Sequence, residues 1–121
     1  MKKLFFILIG LAVVLTAFQK KKKKPAATAE QPACVKALIK KFSAEEKQNP
    51  PRSIYSYTYK GKTVYYVTPP CCDFFSDLYD SATCKLIGHP DGGITGKGDM
   101  QMMDFNTAKT NEKLIWKDIR K

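Results

Sequence analysis

The chain has 121 residues and carries 21 lysines and arginines against 11 aspartates and glutamates, a formal net charge of +10. Seven of the basic residues and none of the acidic ones lie within residues 1–29, which leaves 14 basic against 11 acidic residues, or +3, for residues 30–121. Nucleic-acid-binding domains carry a concentrated basic face, so we expect no nucleic-acid partner. The length beyond residue 29 suffices for one small domain, near the lower limit for a self-sufficient core.

The N-terminus has the pattern of an export signal. Two lysines precede an apolar run from Leu4 to Phe18, which is interrupted only by Gly10 and Thr16. The run is shorter than the ~20 residues of a membrane-spanning helix and has the length of a signal-peptide core. Cleavage is expected after Ala17 or after Ala29, and the alternative is a leader that stays as an anchor. We therefore divide the chain into a signal peptide and basic leader (1–29), a linker (30–33) and one domain (34–121), and expect export to the periplasm, outer surface or medium.

Five consecutive lysines, Lys20–Lys24, follow the apolar run. If cleavage occurs after Ala17, this segment remains as a basic tether that can contact anionic lipid headgroups. The alternative is a solvated spacer. Membrane contact is expected only through these lysines or an uncleaved leader.

A helix is predicted at the start of the domain. Apolar residues at Val35, Leu38, Ile39 and Phe42 recur at helical spacing and leave lysines on the opposite face. The helix cannot continue through Asn49-Pro-Pro51, because proline lacks the amide donor and restricts the residue before it.

Alternating residues predict a β-hairpin next. Tyr55, Tyr57 and Tyr59 share one face of the first strand, Lys60-Gly-Lys62 forms the turn, and β-branched and aromatic residues resume at 63–68. The tyrosine row is a candidate platform for a protein, peptide or glycan. The alternative is that the tyrosines simply cover a small sheet, with their hydroxyls in water.

A second hairpin is predicted from 74–79 and 83–88, and a last strand around Trp116. The predicted fold class is α+β, with one N-terminal helix packed on a small antiparallel β-meander and disulfides holding the domain together.

The four cysteines are Cys34, Cys71, Cys72 and Cys84. An even number in a chain with an export signal predicts two disulfides. A bond between the adjacent pair is the least expected, so one of the two is expected to reach Cys34 and the other Cys84. A Cys72–Cys84 bridge closes a loop of about 13 residues, worth roughly 3 kcal/mol. A zinc or thiol site fits less well, because adjacent cysteines have no gap to spread around one ion and the chain has a single histidine.

The segment His89–Asp99 is rich in glycine and contains the only histidine. Asp91 and Asp99 flank the glycines, and Asp73 or Asp104 can join them as oxygen ligands, so calcium is a possible cofactor. The preferred interpretation is a tight loop whose aspartates accept hydrogen bonds from its own amides. His89 is a candidate general base, oriented by Asp91 or Asp99, for a small hydrolase.

Several motifs resemble a family of small bacterial exported proteins, many of them lipoproteins, classed as a domain of unknown function. The resemblance extends from about Cys34 to Ile119. Its most specific segments are Asn49-Pro-Pro51, Val64-Tyr-Tyr66, Cys71-Cys-Asp73, His89-Pro-Asp-Gly-Gly-Ile-Thr-Gly-Lys-Gly-Asp99 and Leu114-Ile-Trp-Lys-Asp118. This chain lacks a cysteine at the end of its apolar run, so lipidation is not expected here.

The sequence thus predicts an exported domain that acts as a non-enzymatic binding module at the cell envelope. The candidate ligand-binding residues are Tyr55, Tyr57, Tyr59, His89, Asp91 and Asp99. The alternatives are a calcium-stabilised domain with Asp73, Asp91 and Asp99 as ligands, and a hydrolase that uses His89.

Overall fold

A computed structural model describes residues 30–121, so the predicted leader and its cleavage sites lie outside the described residues. The described chain is α+β, as predicted. Its elements are α1 (Ala33–Ala44), β1 (Ser53–Tyr59), β2 (Lys62–Val67), β3 (Asp77–Asp80), β4 (Leu86–Gly88), α2 (Phe105–Ala108) and β5 (Thr110–Lys117).

The five strands form one antiparallel sheet in the order β4-β3-β2-β1-β5. The first four strands follow each other as a meander, and β5 returns to pair with β1 at the far edge. The β1–β2 hairpin is confirmed. Lys60 and Gly61 form its turn with φ of 48° and 75°, the positive values that suit the twist of a two-residue hairpin.

The second hairpin is confirmed with shorter strands than predicted. Asp80 shapes its turn, because its carboxylate accepts hydrogen bonds from the amides of Ala82 and Thr83 at 2.9 Å each. The bond from Thr83 is the main reason that the pKa of Asp80 is lowered. Phe74 and Phe75 lie before β3 rather than in it, and Phe75 instead forms an isolated bridge to Gly92.

Each face of the sheet is covered by a different layer. On the first face, the apolar side of α1 (Val35, Leu38, Phe42) packs against Ile54 and Val67. On the second face, Phe105 from α2 packs against Tyr57, Tyr59, Val64 and Leu78. The alternation of β1 and β2 explains both cores, because successive side chains point to opposite faces of a strand.

The C-terminal residues hold the end of α1. Arg120 donates to the carbonyls of Phe42, Ser43 and Glu45 at 2.9–3.3 Å, and its guanidinium also forms two bonds, of 2.9 and 2.7 Å, with the carboxylate of Asp118. The last carbonyls of a helix have no partner within the helix and carry its negative dipole end. Arg120 supplies both the donors and the positive charge.

The two disulfides are present, but the predicted pairing is wrong. Cys34 pairs with Cys84 across a Cα–Cα distance of 5.2 Å, and Cys71 pairs with its neighbour Cys72. Cys34 lies in the first turn of α1, about 12 Å along the helix from Phe42 at a rise of about 1.5 Å per residue. The loop that carries Cys71 and Cys72 leads into Phe74, which lines the same hollow as Phe42 near the other end of α1. The β3–β4 turn instead places Cys84 beside Cys34.

Candidate binding site at the glycine-rich loop

The loop 89–99 is closed at its base by Asp99. The Asp99 amide donates to the His89 carbonyl at 2.9 Å, and the Asp99 carboxylate accepts from the amides of His89 and Gln101 at 3.0 Å each. A carboxylate bonded to nearby amides is the expected behaviour of aspartate in a turn. Asp99 therefore shapes the loop that it ends.

Gly98 allows the two ends of this loop to meet. Its φ is +61°, and a Cβ at this position would lie 1.8 Å from the His89 carbonyl oxygen. No other residue fits at that distance, so the closure of the loop depends on a glycine here.

Ser76 and Asp91 attach the loop to the sheet. The fully buried Ser76 donates its amide and its hydroxyl to the Asp91 carbonyl at 3.0 and 3.1 Å, and its hydroxyl accepts from the Asp91 amide at 3.2 Å. The Asp91 carboxylate accepts from the Tyr66 hydroxyl at 2.8 Å and from the Asn106 amide group at 3.3 Å. Burial, followed by the bond to Asp91, raises the pKa of Tyr66 far above its ordinary value.

The candidate calcium ligands are not brought together. Within residues 30–121, no group of three or more histidine, cysteine, aspartate or glutamate side chains is arranged to hold a metal ion. Asp73 is exposed on the cysteine loop, while Asp91 and Asp99 already accept hydrogen bonds from neighbouring donors. Calcium binding stays a prediction.

His89 is oriented by neither of the aspartates expected for it. Its Nδ1 lies 2.9 Å from the Ser76 carbonyl and 3.0 Å from the Asp77 carboxylate. Its ring lies 5.4 Å from that of Phe75. A role for His89 as a general base stays a prediction, with Asp77 rather than Asp91 or Asp99 as the neighbour of its ring.

The structure corrects the expected tyrosine platform. Tyr57 and Tyr59 are buried, because Phe105 lies with its ring centroid 5.7 and 5.2 Å from theirs. Their hydroxyls donate to Glu112 and Asp104, each at 2.7 Å, rather than lying free in water. Tyr55 alone of the three stays partly exposed.

Sequence reasoning missed Ser76, Phe105 and Asn106. Ser76 has no distinguishing sequence signal. Phe105 is the one aromatic residue between Asp99 and Leu114, where the other large apolar residues are three methionines, and a lone aromatic residue in such a stretch is a signal that it packs onto another element.

Exposed apolar side chains line two shallow hollows on the outside of this loop system, and Phe75 belongs to both hollows. We call their surface the Phe74 patch, and its members are Phe74, Phe75, Ile94 and Met100, exposed at 63%, 44%, 90% and 60%. Phe75 lies against Gly93 and lines one shallow surface hollow with Ile94 and Met100. The Gly93 amide donates to the Phe74 carbonyl at 3.0 Å, so the two segments that form the patch are bonded to each other.

A second hollow adjoins the patch, with a volume of about 340 Å³. The residues that line it are Lys41, Phe42, Glu45, Arg52, Pro70, Phe74, Phe75, Asp77 and His89. Arg52 lies over the Phe42 ring and donates to Glu45 at 2.8 Å. The hollow thus presents mixed charge next to exposed aromatic rings, a composition suited to holding a polypeptide or a polar ligand.

Fold and site together define a small disulfide-bonded α+β domain with one pinned glycine-rich loop and an exposed apolar patch. The model of the family described as "Domain of unknown function (DUF6970)" matches residues 40–118. The chain belongs to this family. No curated protein and no solved structure matches the chain.

Proposed function

We propose that this chain is an exported, non-enzymatic binding module of the cell envelope, and that the Phe74 patch receives a protein partner. The observation that carries the proposal is the patch itself: four large exposed apolar side chains that line two hollows sharing Phe75, on segments joined by a hydrogen bond.

One observation and one prediction support the proposed compartment. Both disulfides are typical of an oxidising, extracellular environment, and the predicted signal peptide provides a route to it. Within the described residues, no helix is long and apolar enough to cross a membrane.

The patch has the properties of a protein-binding surface. Contiguous exposed apolar residues on a small protein mark interaction sites, and aromatic anchors dominate the energy of such interfaces. The loop is held by Ser76, Asp91 and Asp99, so little conformational entropy is lost on binding. Mixed charges in the neighbouring hollow supply a polar rim around these anchors.

Equilibrium binding of the purified domain to an envelope fraction of its native host tests the proposal. We expect saturable binding that weakens by about tenfold or more in the variant Phe74→Ser/Ile94→Ser, the loss typical of removing two interface anchors. The matched control is Leu114→Ser, which removes a side chain of similar exposure from β5. It should bind like the wild type.

Protease treatment of the envelope fraction distinguishes the class of partner. Loss of binding after this treatment identifies a protein, whereas persistent binding that a glycosidase removes would replace the protein by a glycan. Equal binding by the wild type and the Phe74→Ser/Ile94→Ser variant would overturn the role of the patch.

A further inference from the structure

The two disulfides lie in contrasting environments. Cys34, in the first turn of α1, is 6% exposed, and Cys84 is partly exposed and packs against the same core. Cys72 is exposed and Cys71 partly exposed, on the loop between β2 and β3 that Pro69 and Pro70 introduce. Thiol–disulfide exchange requires an attacking thiolate to reach a sulfur atom, and Cys72 is the one exposed cysteine of the four, so the second bond is the more open to a reagent in solution.

They also differ in what they hold together. The Cys34–Cys84 bond links residues 50 apart in sequence and joins α1 to the β3–β4 turn. The Cys71–Cys72 bond links neighbours and closes no chain loop, so it removes almost no conformational freedom from the unfolded chain. A stabilising role therefore explains the first bond and not the second.

Other bonds hold the chain around the adjacent pair. The Phe74 amide donates to the Cys71 carbonyl at 3.1 Å, and Ser76 fixes the following residues to Asp91. Neither contact involves a sulfur atom, so we expect the fold to persist when the two sulfur atoms separate.

We propose that Cys71–Cys72 is a thiol-exchange site that accepts two electrons from a dithiol while Cys34–Cys84 stays oxidised. A thiolate of the dithiol attacks the sulfur of Cys72, which forms a mixed disulfide and releases Cys71 as the thiolate. The second thiolate of the dithiol then attacks the dithiol sulfur that is bonded to Cys72. This step closes the disulfide of the dithiol and releases Cys72 as a thiolate. The dithiol is oxidised to a disulfide, and Cys71 and Cys72 take up its two protons.

The site adjoins the Phe74 patch in sequence, with only Asp73 between Cys72 and Phe74. Exchange at this site therefore changes the chemistry beside the proposed binding surface, although it does not require that surface to bind anything.

Limited reduction of the native, full chain tests the inference. The protein is treated with substoichiometric dithiothreitol at neutral pH, alkylated with iodoacetamide and mapped by peptide mass spectrometry. We expect alkylation at Cys71 and Cys72, with Cys34–Cys84 intact, and a ratio of reduction rates of about ten or more, since access controls exchange. Circular dichroism should stay native throughout.

The variant Cys71→Ser/Cys72→Ser provides the matched control. It should melt within a degree or two of the wild type and consume dithiothreitol at no more than about a tenth of the wild-type rate under the same conditions. Reduction of Cys34–Cys84 first or at the same rate, alkylation of Cys71 and Cys72 before any reductant is added, or resistance of both bonds would each overturn the inference. All of these readouts are independent of the proposed binding role.

Discussion

Asp118 and Arg120 illustrate how single residues tie the C-terminus to the first helix. Asp118 is 3% exposed, and its hydrogen bonds from Arg120 lower its pKa to about 2. Arg120 in turn donates to three carbonyls at the end of α1. The charge on the Asp118 carboxylate therefore helps to hold Arg120 against the end of α1.

Acid should destabilise the domain through this pair. Because the folded pKa of Asp118 lies below the unfolded value of about 3.9, its contribution is complete above that pH and is lost as the pH falls toward 2. Thermal melts between pH 7 and pH 2 should show Asp118→Asn with a lower Tm at pH 7 and a flatter decline below pH 4. Asp73→Asn, at an exposed position, is the control and should decline like the wild type. A decline in Asp118→Asn as steep as that of the wild type would contradict this role.

Gly98 and Gly96 differ in how much space surrounds them, although both have a left-handed backbone. Both have positive φ, at 61° and 70°, but a Cβ at Gly98 would meet the His89 carbonyl, whereas one at Gly96 would meet nothing within 4 Å. Alanine at either position costs about 1–2 kcal/mol for the left-handed backbone. Gly98→Ala should cost clearly more in urea denaturation, because the loop must also open. Equal losses in the two variants would show that this close approach does not govern the loop.

At the scale of elements, the short helix α2 covers the second face of the sheet through Phe105 and so removes it as an open binding surface. Phe105 is fully buried and stacks beside Tyr66 and edge-on to Tyr57 and Tyr59. The Lys109 ammonium lies 4.7 Å from the Tyr57 ring centroid and 5.1 Å from that of Phe105. Because of this layer, Tyr57 and Tyr59 lie in a second hydrophobic core instead of on an open surface.

Phe105→Ala should destabilise the domain by about 3–5 kcal/mol, the usual cost of removing a buried aromatic ring. Burial is the largest cause of the raised pKa of Tyr57, so the variant should also ionise tyrosine at lower pH in an absorbance titration. Met103→Ala, from the exposed side of the same segment, is the control and should change stability by no more than about 0.5 kcal/mol. An unchanged titration in a folded Phe105→Ala variant would contradict the burial argument.

Elements with a local pattern could be predicted from the sequence, and their long-range partners could not. The alternation of β1 and β2 and the periodicity of α1 each identify an element without reference to the rest of the chain. Nothing local shows that Phe105 covers Tyr57, or that Asp91 receives the hydroxyl of Tyr66. The cysteine pairing failed for the same reason, since it depends on which end of α1 lies over the β3–β4 turn.

The preferred interpretation of the glycine-rich loop agrees with the geometry for Asp99, which accepts from the His89 amide of the loop and from the Gln101 amide just beyond it. It does not hold for the Asp91 carboxylate, which accepts from Tyr66 and Asn106 instead. The Phe74 patch could not be predicted. The sequence pattern places Phe74 in a strand, and Phe75, Ile94 and Met100 acquire their shared surface only when Gly92 and Gly93 pack onto the segment before β3.

At the scale of the whole molecule, the Cys34–Cys84 bond is the main covalent support of a small domain. It joins the first turn of α1 to the turn between β3 and β4. The chain-entropy model assigns about 4 kcal/mol to a loop of about 50 residues, a large share of the stability of a domain of this size.

Replacement of this pair, as Cys34→Ala/Cys84→Ala, should therefore lower the free energy of unfolding by about 4 kcal/mol in guanidinium titrations. Cys71→Ser/Cys72→Ser serves as its control and should lie close to the wild type. Similar losses in both variants would contradict the division of roles between the two disulfides.

The central claim is that the Phe74 patch is the surface through which the domain meets a protein partner. Site-specific photo-crosslinking in the native host tests it most directly, with a photoreactive residue at position 94 in one variant and at position 114 in another. We predict one discrete protein adduct from position 94, absent from position 114 and suppressed when Phe74→Ser is added. Adducts of equal yield from both positions, or an adduct from position 94 that survives Phe74→Ser unchanged, would contradict the claim.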